Sequence, residues 1–359
     1  MKYFGVVYDI GYRVLGEGDS SVEPFDPELA RYDMNVIAAD LRANAVRIEG
    51  EDLERLEIAS RAALDAGLAI WFSPWKMNVD FDATTEYLVK ASKIAERLAR
   101  DGGDVVFIVS CEYSIFSDGV YPGNNIFERS AWVKQHFGAI EWPNTPAGLP
   151  EPLPQKAGIL NQYLKSFRDT VREHFSGPVT YSAAIFEEVD WTLFDYAGPN
   201  YYRETQSDEE YAAGFEYFRT FGRPIAIPEF GCCTYAGAAD RGARGWRLLQ
   251  EQFPDGSIKW QNDDVPARSE TEQADYAERQ LRFFHDQGVE AAFIFQYNAP
   301  AYVHDQGPRD ADLGSYGMVK FPPRGDARWQ QMPPWEPKEV YHRAAKLFRE
   351  LRETAENGK

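Results

Sequence analysis

Short apolar runs rich in Val, Ile, Phe and Tyr recur along the chain, each followed after a loop by a longer stretch with apolar residues at three- and four-residue spacing. The pattern predicts strands at 3–8 (YFGVVY), 45–48 (AVRI), 69–73 (AIWFS), 105–110 (VVFIVS), 179–182 (VTYS), 196–200 (YAGPN), 225–227 (IAI) and 291–295 (AAFIF). Helices are predicted at 27–43, 53–66, 84–100, 159–175, 209–221 and 271–287. Asp26-Pro27 supplies an N-cap followed by a first-turn proline, and Gly67 and Gly288 stand where a helix turns off into a strand. Strands that are apolar on both faces and alternate with helices make a parallel sheet covered by helices. Eight such units predict an α/β fold, a single (β/α)8 TIM barrel spanning 1–359.

Loop lengths add a second clue. Insertions at about 113–155, 230–268 and 297–337 each follow the carboxyl end of a strand, whereas helix-to-strand links such as Ala66-Gly67-Leu68 are very short. Elaboration of one rim marks it as the working face of a barrel. An open, doubly wound sheet is the competing architecture. It lacks a Gly-rich phosphate turn after the first strand, because GEGDSS has the wrong spacing for a dinucleotide loop.

Charge narrows the partners. With 38 Lys and Arg against 57 Asp and Glu, the formal charge is −19 and no basic run occurs, so surfaces for nucleic acid or anionic membranes are not expected. No segment approaches the length of an apolar membrane span and the first residues lack a signal-peptide pattern, so the expected location is cytoplasmic. The three cysteines, Cys111, Cys232 and Cys233, build neither a disulfide framework nor a four-ligand zinc site and read as free thiols. Five scattered histidines show no ligand spacing, so neither metal nor other cofactor is expected.

Two predicted strands end in a glutamate directly after an apolar run: VVFIVSCEYS places Glu112 and RPIAIPEFGCC places Glu229. A carboxylate there is costly unless it is paired or functional. The fourth and seventh strands face each other across a barrel mouth. Two opposed carboxylates are the apparatus of glycoside hydrolysis, one protonated to serve the leaving oxygen and one ionised to attack the anomeric carbon or activate water.

A (β/α)8 barrel with Glu closing the fourth strand and Glu closing the seventh resembles the clan A glycoside hydrolases, over roughly residues 3–347 in architecture. The resemblance implies a retaining O-glycoside hydrolase with Glu229 as nucleophile and Glu112 as general acid/base. Arg47 in AVRIEG stands where those enzymes carry a second-strand Arg beside the nucleophile, and Tyr201 or Tyr202 in GPNYYRE where a Tyr hydrogen-bonds it. PEFG is similar to their seventh-strand signature, and DLGSYGMVKF resembles the closing segment of family 1 β-glucosidases. Two positions depart from the pattern: Cys111 replaces the Asn that holds the sugar 2-hydroxyl, and FIFQYNAP lacks the Trp that ends the eighth strand. Arg47 and the Tyr are expected to keep Glu229 ionised, while Glu112, among Phe and Tyr, keeps its proton.

Asp9, Trp75, Cys111, Asn200, Gln296, Tyr297, Asn298 and His304 are further candidates for lining the sugar site, since polar groups and flat aromatic faces hold a ring. Phe116, Tyr121, Phe127, Trp132, Phe137 and Trp142 make the insertion after Glu112 either a lid or platform, or a minicore. The expected substrate is a small, soluble, β-linked glycoside or oligosaccharide, with uronate-rich polymers disfavoured by the acidic surface. Oligomeric state is not legible. The alternative is a TIM-barrel isomerase, cyclase or lyase using the same two Glu for proton transfer on a non-sugar substrate. A binding barrel that had lost catalysis is a third reading, and it would be expected to lack one of the two carboxylates.

Overall fold

The computed structural model describes residues 1–137, 151–253 and 256–357. Seven strands form one parallel sheet in the spatial order Val179–Ser182, Val105–Cys111, Ala69–Pro74, Ala45–Gly50, Tyr3–Asp9, Ala291–Ile294, Ala226–Phe230. The two outer strands are joined by segment 196–200, which makes parallel bridges from Pro199 to Ala183 and from Ala197 to Ile225. Hydrogen bonds from Ala183 N to Gly198 O and from Ala226 N to Ala197 O close the ring. The sequence pattern predicts a full sixth strand there, and the structure reduces it to two bridges. Pro199 has no N–H to add to the ladder. Gly198 approaches the neighbouring strand so closely that a Cβ would lie 2.2 Å from the Tyr181 carbonyl oxygen. The fold is a TIM barrel.

Helices surround the barrel, and their caps explain where they begin. Asp26 accepts from Glu28 N, Asp52 from Glu54 N and Arg55 N, and Asp80 from Ala83 N. The Asp80 cap starts its helix at Phe81, three residues before the periodicity predicts. Helix Pro27–Ala39 ends four residues early because the chain turns through Arg42 at φ 62°. Helix Leu153–Arg172 begins six residues before the predicted 159, with a proline in its first turn. Ser207 and Glu210 form a capping box on Asp208–Arg219.

Alternation along the strands separates two cores. Tyr3, Val7, Trp71, Val106, Ile108, Tyr196 and Phe293 fill the barrel interior, with Trp71 packed against Tyr3, Tyr196 and Phe293 at ring-centroid distances of 5.7, 5.3 and 5.0 Å. Residues of opposite parity face the helices in the larger core. A third cluster binds the long segments after the seventh and eighth barrel positions, and it contains both Cys232 and Cys233 as buried free thiols. Within the insertion after Glu112, Tyr121 stacks on Trp132 at 4.8 Å and Phe116 packs on Trp75 at 4.8 Å, while Phe127 is exposed. Trp142 lies outside the described residues, with the rest of 138–150 in the predicted 113–155 insertion, and so does the side chain of Phe137. No helix among the described residues is long and apolar enough to cross a membrane.

Candidate active site

Both glutamates lie at a break in strand register, Glu112 just after one and Glu229 within the other. The pairing of Val105–Cys111 with Val179–Ser182 shifts between Ile108 and Cys111, and that of Ala226–Phe230 with Ala291–Ile294 shifts between Ile227 and Phe230. Such irregularities re-aim the side chains next to them. Glu112 then takes a left-handed conformation, φ 44° and ψ 45°, at the head of the short helix Tyr113–Phe116. A non-glycine residue holds this geometry only when its surroundings dictate it. Here Glu112 N donates to Ser182 O at 2.8 Å, Tyr181 Oη accepts from Tyr113 N at 2.7 Å, and buried Glu187 accepts from Ser114 N at 3.0 Å and from Ser114 Oγ. Glu187 is itself held by Tyr181 Oη and Ala184 N.

The surroundings of the two carboxyls differ. Glu229 Oε2 receives Arg47 Nη1 at 3.0 Å, and Oε1 receives the Tyr202 hydroxyl at 3.2 Å. Among the described residues, Glu112 Oε1 receives only the Asn200 amide, at 2.9 Å, and Asn200 is oriented by Ser182 Oγ donating to its Oδ1 at 2.7 Å. Cys111 Sγ sits between them, 3.4 Å from Ser182 Oγ, 3.8 Å from Asn200 Nδ2 and 4.0 Å from Glu229 Oε2. The two carboxyl groups therefore share one compartment.

Electrostatics separates them further. Burial and then the charge of Glu229 push Glu112 up to about 8, with the Asn200 N–H opposing the shift. Burial also raises Glu229, but the Arg47 charge and the Tyr202 hydroxyl both oppose it. The group with the cation beside it ionises first, and its charge then holds the proton on Glu112. Burial raises Cys111 well above the usual thiol range, so it is a neutral thiol.

The mouth also contains a carboxylate the sequence reading passed over. Glu49 is fully buried, and its Oε2 lies 2.8 Å from Arg47 Nη2. Burial, with the charges of Glu229 and Asp9, raises it to about 8 against the pull of Arg47. The signal was present in AVRIEG: residues two apart on a strand share a face, so an inward Arg47 implies an inward Glu49. Ser182 and Glu187 were also passed over, and nothing in their local pattern marks them.

The remaining candidates divide. Asp9, Trp75, Cys111, Asn200 and Tyr202 stand at the mouth with Arg47 and the two catalytic candidates. Asp9 is buried, accepts from Gly11 N at 2.7 Å and is pushed up to about 7 by burial. Trp75 packs against Tyr12 at 5.2 Å and in one cluster with Cys111. Gln296 is buried at the eighth strand end, its Oε1 without a donor among the described residues. Tyr201 does not join them, because its hydroxyl donates to Tyr211 O at 2.7 Å. Tyr297 packs between Tyr8 and Trp335 in the outer core. Asn298 clamps the backbone of Asp9 through both its amide atoms. His304 Nδ1 meets Arg268 at 2.9 Å and Asp310 at 3.1 Å. Ligand atoms of His304, Asp310 and Asp312 lie within 4.8 Å of one another. Arg268 bonds Asp310 and Asp312, and Lys338 Nζ is 2.7 Å from Asp312, so protein cations already neutralise this donor set.

No protein-family profile and no curated protein matches the sequence. Solved structures do match in fold. The GH113 β-mannanase from Alicyclobacillus acidocaldarius aligns at TM-score 0.56 and 13% identity, over 97% of this chain and 97% of its own. A β-glucosidase aligns at 0.56 and 12% identity, over 97% of this chain and 98% of its own. The Bacteroides uniformis β-glucuronidase 2 aligns at 0.55 and 13%, over 97% of this chain but 34% of its own. At these identities what is shared is the barrel fold.

Proposed function

We propose that this protein is a retaining β-glycoside hydrolase in which Glu229 is the nucleophile and Glu112 the general acid/base. The observation that carries the reading is the asymmetry of two buried carboxyls in one compartment: Glu229 has Arg47 and Tyr202, and Glu112 has a neutral amide. In the first step ionised Glu229 attacks the anomeric carbon as Glu112 gives its proton to the departing glycosidic oxygen. The Arg47 and Tyr202 contacts hold the attacking carboxylate in place. In the second step Glu112, now ionised, takes a proton from water as that water displaces Glu229, restoring both groups. The chain's own residues supply every proton and charge in this cycle, with no cofactor, and we place the enzyme in the cytoplasm. The fold neighbours, a β-mannanase, a β-glucosidase and a β-glucuronidase, support a β-linked sugar substrate.

A panel of 4-nitrophenyl glycosides with wild type, Glu112→Gln and Glu229→Gln tests this. Turnover of at least one β-glycoside is expected, with each variant reduced by about two or more orders of magnitude. Azide should rescue Glu229→Gly with inverted product and Glu112→Gly with retained product. A fluoroglycoside that labels another residue, or rescue with the stereochemistry exchanged, removes the assignment. Turnover of a non-sugar metabolite with no glycoside accepted would favour proton transfer chemistry instead.

A further inference from the structure

The register of the first three strands puts Asp9 beside Glu49 and Glu49 beside Ser73. One step below, Val7, Arg47 and Trp71 form the next row, and Val7 and Trp71 belong to the barrel interior. The upper row therefore also points inward, at the rim where Trp75 follows. Several polar atoms in this row have no hydrogen-bond partner among the described residues: both carboxylate oxygens of Glu49, Ser73 Oγ and Trp75 Nε1. Glu49 and Ser73 are fully buried, and Trp75 is 6% exposed. The contact between Arg47 Nη2 and Glu49 Oε2 is close enough for charge attraction but is not aligned as a hydrogen bond. Burying a carboxylate with no donor is among the costlier things a fold can do.

We propose that Glu49, with Ser73 and Trp75, is a binding shelf for two adjacent hydroxyls of a neutral glycone ring, held beside the nucleophile Glu229. The proposal rests on the hydrolase reading and adds the class of sugar. The two oxygens of the Glu49 carboxyl span a vicinal diol, one accepting an O–H and the other donating its proton to, or when ionised accepting from, the second hydroxyl; the Ser73 hydroxyl both donates and accepts, and the indole N–H of Trp75 donates. Arg47 links the shelf to the reaction, since Nη1 meets Glu229 and Nη2 meets Glu49. Asp9 is already committed to Gly11 N and Ser21 and is not part of the shelf. Two carboxyls, Glu49 and Glu229, already engage the fully buried guanidinium of Arg47. The guanidinium, already engaged, is not free to pair with a substrate carboxylate, so neutral glycosides are expected to be preferred to uronides.

The test compares wild type, Glu49→Gln and Glu49→Ala on the best neutral 4-nitrophenyl glycoside, on its monodeoxy analogues and on the matching glucuronide. In wild type, removing one of the two ring hydroxyls held by Glu49 should lower kcat/KM by about 10- to 100-fold. Glu49→Ala should lose a similar factor on the parent and almost nothing further on that deoxy analogue. Equal losses on the parent and every analogue would mean that Glu49 only holds Arg47, and would overturn the proposal. So would a glucuronide turned over faster than the neutral parent. Glu49→Gln preserves shape if the alanine variant fails to fold, and is held to the same criterion. Calorimetry with neutral gluco- and manno-configured lactams needs no turnover. Binding weakened about tenfold or more in Glu49→Gln supports the shelf even if no glycoside is hydrolysed, whereas unchanged binding alongside normal hydrolysis overturns the shelf alone.

Discussion

At the residue scale, the difference between Glu112 and Glu229 comes from their hydrogen-bond donors. Both are buried, and burial alone would protonate both. Arg47 and Tyr202 favour the ionised form of Glu229, and Asn200 does so more weakly for Glu112. The proton on Glu112 should therefore be lost near pH 8, setting the alkaline limb of kcat/KM for a glycoside with a poor leaving group. Asn200→Ala removes a donor that stabilises the ionised form, so Glu112 should hold its proton to higher pH and the alkaline limb should move upward. A limb that stays where it is in this variant belongs to another group.

At the scale of elements, the barrel strands do two jobs through alternation. Inward residues low in the barrel form an aromatic plug, and inward residues at the rim carry the chemistry. Trp71 is the centre of the plug, touching three aromatic rings, two from other strands and Tyr196 from segment 196–200. Trp71→Ala should destabilise the fold by about 3–5 kcal/mol through lost burial and the cavity left behind, measurable by chemical denaturation. A loss below about 1 kcal/mol would show that the plug is not what holds the strands at their spacing. The register breaks next to both glutamates, and the Glu187 clamp on the helix after Glu112, show that the strand ends are specialised for aiming side chains.

At the scale of the whole molecule, this is a chain of charge −19 that buries carboxyls at the mouth of its barrel. Glu112 binds its proton more tightly folded than unfolded, because its value rises from 4.5 to about 8. Between those values the native state holds more protons than the unfolded chain, so this group makes stability fall as pH rises. Glu112→Gln removes that dependence. The melting temperature of Glu112→Gln minus that of wild type should be more positive at pH 8 than at pH 5. A difference independent of pH would mean that Glu112 has an ordinary carboxylate pKa in the folded protein.

Local signals were enough for much of this protein. Eight apolar runs alternating with helical periodicity determine a βα barrel, since such strands must be covered on both faces, and a glutamate ending an apolar run declares itself by its cost. Glu49 was available by the same logic, two residues from Arg47. Other features depend on residues far apart in the chain. The pattern at 200–202 leaves two tyrosines equivalent, and only the packing of Tyr201 against helix Asp208–Arg219 turns Tyr202 toward Glu229. Tyr297 and Asn298 read as rim residues in FIFQYNAP, yet one packs outward on Tyr8 and the other ties down the first strand. Periodicity states which side of a strand a residue takes; which neighbour it meets there is decided when the barrel closes and distant strand ends are brought within hydrogen-bonding distance.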